Sequence, residues 1–247
     1  MEKTKIKAHS AVLIANVIFG LGVPVTKLLL DDWVSPMAYM ASRFIGATII
    51  FWLVSLFLPR EHVYPKDLLV IMAGGLLGFV ISLTLSAWAL NYTTPVYFSF
   101  IASLTPVATM ALAALFIGEK LSGRGVFGVI IGIVGTMLMV LMGWQGGSGS
   151  NDLLGIVLAL LSMLTWAGYL IITRSVSTKY SAVTQLKWIF LVATIAILPF
   201  SWSDLQGATL YSSAWQWSGM LEMVFIVLIV TVIGSFATPY AMRYLPA

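Results

Sequence analysis

Full charges stand inside long apolar runs, Arg43 and Glu222 among them. A charge at the centre of a bilayer costs ~2.5–3.5 kcal/mol on insertion scales, so each needs a reason. Glu222 lies roughly 7 Å inside its run at the rise of a helix. It can bind a proton or a solute amine, or its side chain can simply reach the interface. Arg43 lies about 10 Å inside its run from the same side. At that depth snorkelling is harder, and the guanidinium can attract a carboxylate or pair with Glu222. Lys187 sits close enough to the end of a run to snorkel.

A second kind of chemistry comes from broken backbone. Pro106 stands mid-run and cannot donate to the carbonyl of Ala102. Ser103 and Thr105 flank it. A freed carbonyl with two hydroxyls can coordinate a solute amine or a cation, as broken helices do in transporters. It can equally be a packing kink re-satisfied by Ser103 or a neighbouring helix. Pro24 frees the carbonyl of Gly20 in the same way, with Gly22 nearby. Asn16 is an amide in an apolar run that must find partners, in a cavity or between helices. Trp88, Tyr92, Tyr97 and Trp166 can wall an amphiphilic solute or stack on a cationic one, or serve only as packing. Lys27 and Arg174, at run ends, read as anchors.

Other chemistries lack their residues. There is no cysteine, hence no thiol nucleophile, disulfide or Cys metal site. His9 and His62 both fall outside the apolar runs, so no zinc site is expected. Asp31-Asp32 is the only adjacent acidic pair and has no matching cluster. No phosphate loop or nucleotide fingerprint is present. No cofactor and no metal are expected.

These side chains must be positioned by membrane helices. The chain has 247 residues, 60% hydrophobic and 9% charged, with mean hydropathy +1.00. A soluble domain carries about 25% charged residues, so these cannot cover a water-facing surface. A span needs ~20 apolar residues. Eight runs qualify: 10–30, 36–57, 68–91, 95–117, 124–142, 153–173, 182–200 and 217–242. All exceed barrel-strand length, so they read as helices. Ser35-Pro36 and Thr94-Pro95 are helix starts. The opening MEKTKIKAHS resembles the charged region of a signal peptide, but the run after it is too long and has no cleavage pattern. It reads as the first span.

Cytoplasmic loops are enriched in Lys and Arg. Lys3, Lys5, Lys7, Arg60, Lys66, Lys120, Arg124, Arg174, Lys179 and Arg243 all fall on one side, and the alternate loops have none. The N-terminus is therefore expected in the cytoplasm. The net charge of +4 is explained by this orientation. The basic residues form no patch or stacking platform for nucleic acid, which is not an expected partner. Trp33, Trp144, Trp202, Trp215 and Trp217 gather at the opposite edge, as interfacial aromatics do. Gly74 and Gly78, and Gly128 and Gly132, are spaced for close helix approach. Packing is the first reading, and a homodimer through the 124–142 run the second. Asn91-Tyr92-Thr93 matches a glycosylation sequon but sits against the membrane edge.

The chain also resembles itself. At an offset of 147, IFGLGVPVTK (18–27) meets TWAGYLIITR (165–174). At 146, Val34-Ser35 meets Tyr180-Ser181. At 152, WALNYTTP (88–95) meets YAMRYLPA (240–247). Chance similarity between apolar helices is the competing explanation. If the repeat holds, residues 1–145 form a five-helix unit and 146–247 an incomplete second one, split at GGSGSND. Five is odd, so the second unit is inverted, a common transporter plan. A complete protein would then run to about 295 residues.

Residues 88–140, WALNYTTPVYFSFIASLTPVATMALAALFIGEKLSGRGVFGVIIGIVGTMLMV, carry LTPV, GEKL and a glycine-spaced helix. They resemble the EamA domain of the drug/metabolite transporter superfamily, and the likeness extends over the chain as two halves. It implies an all-α polytopic fold on a ten-helix plan, with about eight helices here. It also implies a central cavity partly lined by a ninth span, and export or exchange of small metabolites such as amino acids.

The expected function is thus a secondary transporter or facilitator of small organic solutes, in lipid, in the bacterial cytoplasmic membrane. The candidate cavity residues are Asn16, Arg43, Trp88, Tyr97, Ser103, Thr105, Pro106, Trp166 and Glu222. A membrane-embedded enzyme and a non-transporting subunit are the alternatives. Proton coupling through Glu222 is open.

Overall fold

The computed structural model describes residues 2–118, 149–212 and 216–244, with helical residues scattered between 123 and 138. Among the described residues there are helices and no strands. Seven helices are long and apolar enough to cross a membrane. We number them α1 (Glu2–Asp32), α2 (Pro36–Leu56), α3 (Pro65–Tyr92), α4 (Pro95–Phe116), α5 (Asp152–Ser177), α6 (Ala182–Gly207) and α7 (Trp217–Tyr240). The expected span over 124–142 lies largely outside the described residues, as do Glu119, Lys120, Trp144 and Trp215.

Helix starts follow the local sequence. Ser35, Thr94, Asn151 and Ser181 each accept the amide three residues on, capping α2, α4, α5 and α6. Proline fills the first turn of α2, α3 and α4. Gly118, at φ 71°, closes the second half of α4 in the left-handed region that glycine enters freely. Several helices extend beyond the expected apolar runs. The run 182–200 continues as helix to Gly207, because polarity alone does not stop a helix and Ser201 returns its hydroxyl to the carbonyl of Ile197.

Two helices contain π-helical stretches, Leu76–Ser82 in α3 and Ile226–Ile233 in α7. A third, α4, is broken at Leu104 into Pro95–Ser103 and Thr105–Ile117. The break sits just ahead of Pro106, whose ring cannot follow a helical residue comfortably.

An extensive interface joins α2 to α6. These helices run antiparallel. Ser35 at the start of α2 donates to Asp204 near the end of α6. Ser181 at the start of α6 donates to Glu61, just past α2. Midway, Thr48 and Thr194 share a hydrogen bond of 2.8 Å. Such bonds between membrane helices average ~0.6 kcal/mol. Phe44 meets Phe190, which stacks on Phe51 at 5.4 Å. α3 lies chiefly against α5 and α6, and α7 chiefly against α1 and α2. Glycine lets α3 approach: a Cβ on Gly74 would overlap Thr173, and one on Gly78 would overlap Tyr169.

The bundle has two chemically distinct ends. At the basic end, Lys179 pairs with Asp67 at 3.1 Å. Tyr180 donates to the same carboxylate and accepts the amide of Tyr64. Burial pushes the Tyr180 hydroxyl above its ordinary pKa, opposed by the Tyr64 amide and assisted by Asp67. At the other end the amide of Leu210 reaches the carbonyl of Trp33, and Thr93 donates to Asp152. Thr93 is fully buried there, so the sequon at Asn91 ends inside the α3–α5 junction. The outer faces carry bare apolar side chains such as Leu53, Phe116, Ile195 and Phe200. In water that surface is an aggregation hazard; against lipid it is the expected exterior.

Candidate functional site

One buried polar cluster is built on α1, α2 and α7. Arg43 is on α2, buried at 7% exposure. Its Nε donates to Thr231 Oγ1 at 2.5 Å. Thr231 is itself fully buried and passes its own proton to the carbonyl of Ile226 at 2.8 Å. That carbonyl belongs to the π-helical stretch, where normal helix bonding is shifted and an extra donor is useful. Arg43 Nη1 faces the Tyr39 hydroxyl at 3.5 Å, and its guanidinium carbon lies 6.0 Å from the Tyr39 ring centre. Tyr39 shares a 2.9 Å bond with Thr26 on α1. One cation thus joins three helices through hydroxyls.

Glu222 does not complete this group. The pairing expected as one option for Arg43 is not formed; its hydrogen bonds go to Thr231 and Tyr39. Glu222 is half-buried on α7, and its Oε2 is closed off without a hydrogen-bond partner. It lies one turn past Gly219, which packs against Trp33 and Leu210 at the acidic end. There Asp31, Asp32, Ser35, Asp204 and Thr209 line an open recess of about 490 Å³. Asp31 is tied to Lys27 at 3.0 Å.

The broken helix α4 resolves its own polar groups. The carbonyl of Ala102 accepts Thr105 Oγ1 at 2.6 Å. Ser103, exposed, turns back to the carbonyl of Phe100 at 2.6 Å. Pro106 is exposed. The kink reading therefore accounts for these three residues, with Thr105 rather than Ser103 supplying the donor.

The aromatic candidates separate. Trp88 stacks on Tyr92 at 5.9 Å. Trp166 packs against Phe79 and Tyr169 at 5.6 and 5.0 Å, within the core between α3 and α5. Tyr97 is half-buried on the first turn of α4, where its amide is capped by Thr94. Asn16 lies on an exposed face of α1, as does Pro24. Lys187 sits over the Trp52 and Trp188 rings at 5.4 and 5.9 Å, so its charge has an aromatic partner as well as a route to the interface. The structure therefore gathers Arg43 with Tyr39, Thr26 and Thr231, and leaves Asn16, Trp88, Tyr97 and Ser103 apart from them. Sequence reasoning passed over Tyr39 and Thr231. The available signal was spacing: Tyr39 stands one helical turn before Arg43, on the same face.

A model of the EamA-like transporter family matches residues 6–141 and 153–247. The uncharacterized transporter YetK of Bacillus subtilis is 24% identical over 207 residues, covering 81% of this chain and 62% of that protein. An uncharacterized transporter of Archaeoglobus fulgidus is 24% identical over 168 residues, covering 68% of this chain and 58% of the other. A WAT1-related protein of Arabidopsis thaliana is 29% identical over 180 residues, covering 64% and 46%. The chain spans about half to six tenths of the length of these curated relatives. A solved crystal structure superposes with a TM-score of 0.67 at 19% identity, covering 98% of this chain and 80% of that one. That likeness concerns the fold.

Proposed function

We propose, from the premise that this chain belongs to the EamA-like transporter family, that it moves small organic metabolites across a membrane by alternating access. The solutes are amino-acid-like compounds or drugs, and the direction is export. The membrane is the bacterial cytoplasmic membrane, with the basic end and the N-terminus inside. The moving parts are two units, residues 1–145 and 146–247, inverted about an axis in the membrane plane.

The observation that carries this reading is the α2–α6 contact. The helices are antiparallel, and residues 146 apart in sequence meet: Thr48 with Thr194 and Phe44 with Phe190. An antiparallel pair in which equivalent residues touch at the centre is what a two-fold axis crossing the bundle produces. The ends agree with it. Each helix is capped by a serine that donates to a carboxylate at the far end of the other, Ser35 to Asp204 and Ser181 to Glu61. The π-helical stretches of α3 and α7 begin 150 residues apart. Two equivalent halves that hold each other at both ends can open one end while the other stays closed, which is the requirement of alternating access.

The chain contains no cysteine, so introduced pairs are its only thiols. Glu61→Cys with Ser181→Cys bridges the basic end, and Ser35→Cys with Asp204→Cys bridges the acidic end. In liposomes, counterflow of a radiolabelled amino-acid pool stops when either pair is linked and returns on reduction. Counterflow that persists with one end fully linked rules the mechanism out.

A further inference from the structure

We infer that Arg43 is the recognition point for the anionic group of the carried solute, and that this group is a carboxylate. The inference rests on the transporter reading and names the substrate class. Arg43 is buried, yet its contacts are neutral: the hydroxyls of Thr231 and Tyr39 and the Tyr39 ring. Ion pairs among the described residues include Lys27 with Asp31 and Lys179 with Asp67, and neither involves Arg43. The nearest candidate acid on α7, Glu222, has one oxygen closed off without any hydrogen-bond partner and so does not supply the counter-charge through it. A desolvated cation held only by hydroxyls remains short of compensation.

The guanidinium also keeps donors in reserve. It carries five N–H groups in a fixed fork. Nε is spent on Thr231 and Nη1 turns one long contact to Tyr39. Nη2 makes no hydrogen bond, and it is not among the buried atoms closed off without a partner, which are Trp52 Nε1, Thr84 Oγ1 and Glu222 Oε2. Its surface is therefore partly open. A fork with one arm fixed and the other open suits a planar carboxylate. A dianion such as a phosphate monoester needs a second cation, and Lys27, on the neighbouring α1, is already paired with Asp31.

Packing alone does not demand the charge. The residue 146 positions later is Ile189 on α6, completely buried and packed against Gly75 of α3. Nor does the π-helical stretch require it, because Thr231 reaches the Ile226 carbonyl with its own hydroxyl proton. The arginine is left with a binding role, and Thr231 and Tyr39 position it.

The test compares two probe pools on the protein in liposomes and in detergent. One holds the protein-forming amino acids with C2–C6 hydroxy and dicarboxylic acids; the other holds the corresponding carboxamides. For the wild type, the acid pool raises the melting midpoint and competes in counterflow at least about tenfold more strongly than the amide pool, as a site built for a specific polar group discriminates. Thr231→Val retains that preference at reduced strength. Arg43→Gln loses it while staying monodisperse. Should Arg43→Gln not fold, Arg43→Lys keeps the charge and loses the fork, and its acid preference falls by about tenfold. A wild type without acid preference, or a folded Arg43→Gln that keeps it, overturns the proposal. Amides moving through the wild type while acids do not would overturn it and leave the transporter reading standing. If neither pool binds or moves, the proposal falls as well.

Discussion

Gly78→Ala isolates one of the closest approaches in the bundle. Gly78 lies in the π-helical stretch of α3 and faces Tyr169 on α5. A methyl there would sit 2.6 Å from Tyr169 Cβ and 3.0 Å from Cδ1. Favourable carbon contacts lie near 3.5–4.0 Å, so about 1 Å must be found. Cβ is the root of the side chain, and the ring beyond it is held by Phe79 and Trp166. No rotamer change relieves the overlap, and α3 must part from α5. Overpacking of this kind costs ~1–3 kcal/mol. Replacing glycine by alanine in a helix returns ~0.8–1.0 kcal/mol. The expected net loss is about 1 kcal/mol, a several-fold fall in the folded-to-unfolded ratio. Gly20→Ala is the control: a Cβ there meets nothing within 4 Å, so the propensity gain stands alone. Reversible unfolding in mixed micelles or by steric trapping measures both. Gly78→Ala is expected to lie ~2 kcal/mol below Gly20→Ala, the overpacking cost alone, because the propensity gain is common to both. Equal stability of the two variants would show that the α3–α5 approach is not tight, and the packing argument would fail.

Ser181→Ala removes the cap of α6 and one of the donors to Glu61; the expected loss is ~1–2 kcal/mol, read by the same unfolding assay. Thr93→Val removes the bond to Asp152 at a fully buried position and should cost about 1.5–3 kcal/mol, as for hydrogen bonds to charged groups. Tyr180 supplies a pH dependence. Its folded pKa is raised above 10.0, chiefly by burial, so the protonated hydroxyl is favoured in the folded state. Its contribution is whole below pH 10 and is lost as pH rises through the higher folded value. The melting midpoint of the wild type should fall more steeply than that of Tyr180→Phe above pH 10, and identical alkaline slopes would contradict the assignment.

The spans were readable because hydropathy and helix-start residues are local properties. Ser35-Pro36 and Thr94-Pro95 open α2 and α4 where expected. The helix of α6 outruns the apolar run 182–200 because polar residues mark the membrane edge and not the helix end. Pro106 announced a freed carbonyl at Ala102, but two hydroxyls stood within reach, and only geometry selects Thr105. The depth of Arg43 marked it as costly from sequence alone. Its partner on α7, Thr231, is 188 residues away, a separation that no local pattern encodes. Thr48 and Thr194 went unnoticed because single threonines in apolar helices are common, although their spacing equals that of Val34-Ser35 and Tyr180-Ser181. The π-helical stretches left no mark in the sequence, since apolar residues surround them on all sides.

The way α3 and α7 are embraced bears on how the molecule is made. α3 rests mainly on α5 and α6, which are synthesised after it, and α7 closes against α1 and α2, which come first. When α3 leaves the ribosome, most of its final neighbours do not yet exist. Gly74 and Gly78 then face lipid with no side chains to cover them, and Ser82 lacks the Ser162 carbonyl it will later bond. The early helices must wait, loosely associated, until translation delivers the later ones. A nascent chain halted before α5 would offer that unfinished surface to quality-control proteases, so biogenesis of this protein is committed late, at the insertion of its second half.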